Sequence, residues 1–334
     1  MFDQILRKLS SESPLRLAPR RPWAEQPPTY QDASPRLIEA ALERSQRKPT
    51  GNWYAMAASR TIRPRKPFGT DIAGVELVAW RDGNGQLCVG PRACPHLGAD
   101  LATGVVDQGR LICRWHGLAL EGTACEFGWK PLPSYDDGVL AWVRLDGVGG
   151  ETPTDAPILP ERPAGATLAS VTAMIGACEP QDVIANRLDP WHGDWLHPYS
   201  FTNLEVLSTP TADEDFFLVS VMFRIGPFGA PAIAKFSCPD ARTIVMHIVD
   251  GEGTGSVVET HATPLTSRPG HPPQTVILEA SIAYSDRPWF QRSTRIASLI
   301  TPVMGYAAGR LWRDDLVYAE RRYLMRTKSM PTEM

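Results

Sequence analysis

The chain has 334 residues and a formal net charge of −3, a length that suits two domains. Its basic residues form no clustered stripe, which argues against a nucleic-acid partner. No apolar run approaches the length of a membrane span, and the N-terminal stretch lacks the apolar core of a signal peptide.

Residues 1–51 are rich in proline and arginine and hold one short helical pattern, at 35–47. The expected structure is a partly ordered arm on the subunit surface. From residue 52 the chain turns to alternating apolar stretches, with the turn signal Asp82-Gly83-Asn84-Gly85 between two of them. That pattern predicts a β-sandwich built of hairpins. Within it stand Cys94 and His96, then Cys113 and His116 after sixteen intervening residues. A Cys-x-His run followed by Cys-x-x-His, each trailed by a glycine (Gly98, Gly117), supplies two thiolates and two imidazoles. That is the ligand set of a Rieske [2Fe–2S] centre, in which the neutral imidazoles raise the potential above that of an all-cysteine cluster. Zinc is the rival reading, but this is not a usual zinc-finger spacing. The other cysteines, Cys88, Cys125, Cys178 and Cys238, sit in or near apolar runs and read as buried thiols. An iron–sulfur protein with free thiols belongs in a reducing cytoplasm.

A glycine- and proline-rich stretch at 147–165 marks a boundary. The domains expected are an arm at 1–51, a cluster domain at 52–150 and a second domain at 151–334. In the second, strand-like runs fall at 167–175, 215–225, 232–237, 242–249, 256–263 and 274–284, and helical patterns at 180–197 and 288–327. Strands bounded by helices predict an α+β domain with an antiparallel sheet. Asp189 followed by Pro190 reads as a helix start, with Asp at the N-cap. His192 and His197 are five apart, about 140° around a straight helix, so they converge only if the last turn is distorted. His247, His261 and His271 have no ligand partner nearby; His247 and His261 are assigned to the core, with the cavity as the alternative. No dinucleotide fingerprint and no second cysteine cluster is present, so electrons must come from separate proteins.

From Asn52 to about Asp146 the chain resembles the Rieske domain of the Rieske non-haem iron oxygenases, through "NWYAMAASRTI", "CPHLGADLATG", "LICRWHGLAL" and "LAWVRL". Respiratory-chain Rieske proteins carry a disulfide in the cluster loops, where this chain has Ala99 and Trp115. The likeness is therefore to the oxygenase and ferredoxin type, with Trp115 expected to pack over the cluster. Residues 186–197, N-R-L-D-P-W-H-G-D-W-L-H, are similar to the family's mononuclear iron motif. The resemblance implies that His192 and His197 ligate a ferrous ion with a C-terminal carboxylate, a facial triad with positions open for dioxygen. Asp315 is the first choice for that carboxylate because Glu320 follows at the family's offset, and Asp314 is the second. Asn186 belongs to the motif. Asp189 is implied to bridge an iron-bound histidine to a Rieske histidine of a neighbouring subunit.

The fold implied is a Rieske β-sandwich followed by an antiparallel-sheet helix-grip (Bet v 1/START-like) domain, with its sheet wrapped on a long C-terminal helix. The function implied is a terminal oxygenase, likened to the homotrimeric members, served by a reductase and a possible ferredoxin. Using O2, it would hydroxylate, demethylate or desaturate an apolar organic substrate. Phe216, Phe217, Val221, Phe223, Ile233, Phe236, Ile244, Met246 and Ile248 are the expected cavity residues. The alternative is an electron-transfer protein with a degenerate catalytic domain.

Overall fold

The computed structural model describes residues 15–19, 21–123, 127–211, 213–267 and 269–328, so Cys125 lies outside the described residues. A short strand β1 (Arg16–Leu17) and a helix α1 (Pro35–Gln46) precede the first domain. That domain contains β2 (Trp53–Ala58), β3 (Phe68–Ile72), β4 (Val75–Arg81), β5 (Leu87–Pro91), β6 (Val105–Asp107), β7 (Arg110–Ile112), β8 (Ala119–Leu120), β9 (Ser134–Asp136) and β10 (Leu140–Arg144). They pair as three antiparallel three-stranded sheets, β2-β10-β9, β3-β4-β5 and β6-β7-β8. The predicted turn joins β4 to β5, and the Asp82 carboxylate accepts hydrogen bonds from the amides of Asn84 and Gln86, both 2.8 Å. Leu77, Ala79 and Val89 fill the core on one side of β4, and Val78 and Trp80 fill it on the other, beneath the cluster loops.

The second domain is one antiparallel sheet in the order β11-β17-β16-β15-β14-β13-β12. Its strands are β11 (Leu168–Gly176), β12 (Phe201–Ser208), β13 (Phe217–Ile225), β14 (Phe228–Asp240), β15 (Thr243–Gly251), β16 (Val257–Pro264) and β17 (Thr275–Ala283). Six of the seven coincide with predicted runs. The seventh, β12, was not expected. Two register shifts against β13 and a positive φ of 53° at Asn203 break its apolar alternation. Packed on the sheet are α2 (Pro180–Arg187) and α3 (Ala297–Lys328).

The predicted helix at 180–197 is broken after Arg187. Pro190 has no amide hydrogen and biases Asp189 away from the helical region, and Asp189 has φ −108° and ψ 83°. The long helix is continuous only from Ala297, after a short turn at Pro288–Ser293 and a 3-10 turn at Thr294–Ile296. Its buried residues are Thr301, Ala308, Gly309, Trp312, Asp315, Leu316 and Ala319, one stripe at helical spacing. Small residues let it lie close on β11. The Thr172 hydroxyl donates to the Gly305 carbonyl (3.1 Å), and the Ser170 hydroxyl donates to that of Thr301 (2.9 Å).

The described part of the arm is not only a surface feature. Ile38, Ala41 and Leu42 of α1 are buried in the main core with Ile184, Phe217 and Leu316. Upstream, Gln26 donates to the Asp194 carbonyl (2.9 Å) and Thr29 to that of Trp191 (3.1 Å), strapping the segment to the turn that carries His192. The domains meet where Trp53, Ala55 and Trp142 pack on Leu278 and Ala280. Arg162 in the boundary segment staples them, reaching Asp137 of one (3.0 Å) and Glu259 of the other (2.7 Å).

Candidate active site

The two cysteine–histidine loops are built alike. In each, the glycine amide donates to the cysteine carbonyl, Gly98 to Cys94 at 2.8 Å and Gly117 to Cys113 at 3.0 Å. Each cysteine amide in turn bonds the carbonyl beyond the glycine, of Ala99 or Leu118. Both glycines have φ of 75°, a conformation that favours glycine, which explains their place in the motif. The two loops bring the thiols of Cys94 and Cys113 together in the core, and burial first, then the neighbouring thiol, pushes the Cys94 pKa up. They also bring the rings of His96 and His116 together, with centroids 4.8 Å apart.

The four residues thus form a pair of thiols and a pair of imidazoles. Among the described residues, only the triad below has three donor atoms from His, Cys, Asp or Glu within 4.8 Å of one another. Two separated pairs suit a binuclear cluster better than one tetrahedral zinc ion. Trp115, expected over the cluster, is 61% exposed in the single chain, and Leu97 and Phe127 are exposed as well.

The second constellation lies between the turn after α2 and the middle of α3. A 3-10 turn at Pro190–His192 runs into one α-turn at Gly193–Leu196, and His197 leaves the helical region with φ −122°. This distorted path lets residues five apart converge, with ring centroids 5.5 Å apart. The third member comes from the buried stripe of α3. The Oδ1 atom of Asp315 lies 3.2 Å from His192 Nε2 and 2.9 Å from His197 Nε2. Asp315, not Asp314, faces both rings. The Asp314 side chain is 40% exposed and accepts from the Tyr199 hydroxyl at 2.5 Å. Asn186 donates to Asp315 Oδ1 at 3.2 Å. Glu320 instead caps a loop, accepting from the Ala177 amide at 2.9 Å.

Electrostatics at this triad are strongly biased. Burial acts to raise the Asp315 pKa, yet hydrogen bonds and charge from His192 and His197 overcome it and hold the carboxyl far below the usual range. Burial likewise disfavours charge on His192, and the Asp315 carboxylate outweighs it and raises that pKa. The Asp315 carboxylate is thus held between the two imidazole Nε2 atoms, an arrangement in which a divalent cation can take the place of the hydrogen-bonded protons. Asp315 Oδ2 is buried without a hydrogen bond among the described residues, as a metal-facing carboxylate oxygen can be.

Asp189 occupies the expected N-cap position, though of a 3-10 turn, with Pro190 at the first helical position. Its Oδ2 accepts from the Tyr318 hydroxyl at 3.2 Å and stands 4.0 Å from His192 Nδ1. Both Asp189 Oδ1 and His192 Nδ1 are buried without a hydrogen-bond partner among the described residues. Burial pushes the Asp189 pKa up.

A cavity of about 310 Å³ opens onto His192, His197 and Asp189. Of the nine expected cavity residues, Val221, Phe223, Phe236 and Met246 line it. Phe217 and Ile244 are in the main core instead, and Ile248 packs in a second cluster with Ala232 and Ala234. Phe216 and Ile233 do not line it either. Phe201 and Leu204 of β12 and Met304, Ala307, Ala308 and Leu311 of α3 complete the apolar wall. The polar lining includes Arg187 and Glu279, neither anticipated. A lone glutamate within the apolar run of β17 was the signal available. His261 is buried beside Trp142 and Thr243, away from this cavity.

Residues 52–136 match the Rieske [2Fe-2S] domain family, and residues 148–330 match a family described as a domain of unknown function, DUF5914. Over 169 residues the chain is 27% identical to the oxygenase component of 3-ketosteroid-9-alpha-monooxygenase from Rhodococcus rhodochrous, covering 45% of this chain and 41% of that protein. The chain spans less than half the length of the first curated relatives it matches. The crystal structure of dicamba monooxygenase bound to dicamba aligns with a TM-score of 0.62 at 17% identity, covering 85% of this chain and 92% of that one. The terminal oxygenase of carbazole 1,9a-dioxygenase from Novosphingobium sp. KA1 aligns at 0.56 and 14% identity, covering 91% and 92%. The two-domain architecture is thus that of Rieske terminal oxygenases, and the Rieske match makes a [2Fe–2S] cluster its cofactor.

Proposed function

The chain belongs to the DUF5914 family, carried behind a Rieske [2Fe–2S] domain on the fold of the Rieske non-haem iron oxygenases, and on that premise we propose that it is a terminal oxygenase. The observation that carries this reading is the convergence of His192, His197 and Asp315 at the wall of an apolar cavity. When bound, the cluster supplies electrons one at a time and the ferrous ion supplies dioxygen activation beside the substrate. Cys94, Cys113, His96 and His116 hold the first group, and His192, His197 and Asp315 hold the second. Asn186 orients the Asp315 carboxylate through its amide. The apolar walls exclude water and hold a hydrophobic substrate for hydroxylation, demethylation or desaturation.

The role assigned to Asp189 is to link metal sites across subunits. It stands beside His192, and its Oδ1 lacks a partner within the described chain. This makes a homotrimer the proposed assembly and a separate reductase, with or without a ferredoxin, the proposed electron source. Exposed Trp115, Leu97 and Phe127 around the cluster histidines suit a tip that docks on another surface. No helix among the described residues is long and apolar enough to cross a membrane. The cluster and the free thiols favour a reducing cytoplasm.

Metal analysis tests the reading directly. The purified protein is expected to hold about three irons per chain, two in the cluster and one at the triad. About two irons, with an intact Rieske spectrum, would instead make the chain an electron carrier. A second expectation concerns the cluster. Replacing His96 or His116 by Cys should lose or alter the Rieske EPR signature and lower the potential, because thiolate adds negative charge. An unchanged spectrum in both variants removes this ligand assignment.

A further inference from the structure

Outside the triad the cavity wall carries Asp189, Ser200 and Arg224, and a polar group made of Arg187, Glu279 and Ser281. Glu279 lies on β17, between β11 and β16, is 3% exposed, and lines the cavity. Its Oε2 accepts from Arg187 (3.0 Å), from the Trp312 indole (2.6 Å) and at longer range from the Thr260 hydroxyl (3.4 Å). Its Oε1 has no hydrogen-bond partner among the described residues. Ser281, two residues along on the same face of β17, also lines the cavity and makes no side-chain hydrogen bond there. Arg187 is held between Glu279 and the triad. Its other terminal nitrogen stands 4.0 Å from Asp315 Oδ2, and its plane lies over the Trp312 ring.

We propose that Glu279 Oε1 and the Ser281 hydroxyl form a subsite for a neutral hydroxyl group on the substrate, so that the substrate class is a hydrophobic alcohol or phenol. Glu279 Oε1 faces the cavity with no protein donor, so a ligand that displaces solvent there and supplies a donor is selected over one that does not. The hydroxyl donates to Glu279 Oε1 and accepts from Ser281. Net charge decides against the other donors. Arg187 already neutralises Glu279, so an ammonium group would gain little attraction and meet the guanidinium nearby. A substrate carboxylate placed against Glu279 would face the Oε1 lone pairs with no proton to donate. The rest of the ligand meets Val221, Phe223, Phe236, Met246 and Leu311, which reward an apolar frame.

This subsite rests on the terminal-oxygenase reading for its place in a reaction, but it is tested by binding alone. Equilibrium dialysis of the full-length, iron-loaded protein under anaerobic conditions would compare naphthalene, 2-naphthol, 2-naphthoate and 2-naphthylmethylamine. The expected result is that 2-naphthol binds about tenfold or more tighter than naphthalene, and tighter than either charged probe. Glu279→Gln should remove most of that ratio and Ser281→Ala part of it, while naphthalene binding holds. A ratio near one in the wild-type protein, or one unchanged in both variants, overturns the subsite. Tightest binding of the amine overturns the neutral-hydroxyl assignment. Iron content measured on the same wild-type samples keeps the two readings apart. A lost hydroxyl preference with about three irons per chain defeats only the subsite, and an intact preference with about two defeats only the oxygenase reading.

Discussion

Asp315→Ala is expected to strip the mononuclear iron while leaving the [2Fe–2S] cluster, so that iron content falls from about three to about two per chain. The two sites share no residue, and the cluster loops belong to a different domain, so the Rieske absorption and EPR signals should stay as they are. Oxygenase turnover should fall by a factor of at least about 100, since even residues that merely orient metal ligands cost 10- to 100-fold. The apoprotein should also lose stability, by roughly 3–5 kcal/mol, because the buried Arg187, His192 and His197 lose the carboxylate they surround. Asp314→Ala is the internal control. Its carboxylate is partly exposed and holds Tyr199 rather than both rings, so iron content should stay near the wild-type value. Iron loss in Asp314→Ala with retention in Asp315→Ala would reverse the assignment between the neighbours, and retention in both would place the carboxylate elsewhere.

The preference for Asp315 over its neighbour has a physical basis in the sequence of α3. Trp312, Leu316 and Ala319 lie at offsets of −3, +1 and +4 from Asp315 and mark the apolar stripe. Asp315 is thus an acid on the buried face, whereas Asp314 falls at the edge. The convergence of His192 with His197 and the likeness of the two cysteine–histidine loops were legible for a different reason. Each pair of residues sits in one short run, where spacing and a fixed turn decide geometry with little help from the rest of the fold. Gly98 and Gly117 show this, since both occupy the positive-φ position that closes each cluster loop.

Where long-range packing decides, less was legible. The strand β12 carries two irregularities that disrupt the period of two, and with it went Phe201 and Leu204 of the cavity wall. Phe217 and Ile244 are apolar strand residues like Val221 and Met246. Only the packing of helices on the sheet separates core residues from cavity residues. The Arg187–Glu279 pair joins residues 92 apart in sequence, and nothing local links the two. The exposure of Trp115 in the single chain was not legible, because an aromatic side chain at a loop tip can serve a core or an interface.

Asp189→Asn is expected to leave both metal sites filled and the fold intact, yet to slow electron transfer from the reduced cluster to the mononuclear iron by about 10- to 100-fold, what orienting carboxylates contribute at metal sites. Stability should change by less than about 1 kcal/mol, in line with substitutions that create no cavity or unpaired charge. Asn serves the N-cap position about as well as Asp and keeps an oxygen to accept from Tyr318. A neutral amide is also easier to bury than the carboxylate, whose pKa burial already raises. What Asn cannot do is accept hydrogen bonds through two oxygens at once. A bridge needs both, one toward His192 Nδ1, now 4.0 Å away, and one toward an imidazole of a neighbouring subunit. Single-turnover product formation by protein reduced beforehand, with no reductase present, isolates that step. Wild-type rates in Asp189→Asn would reduce the residue to a structural partner of Tyr318. A strictly monomeric and fully active enzyme would remove the cross-subunit route altogether, because the unpartnered Asp189 Oδ1 would then have no second imidazole to receive.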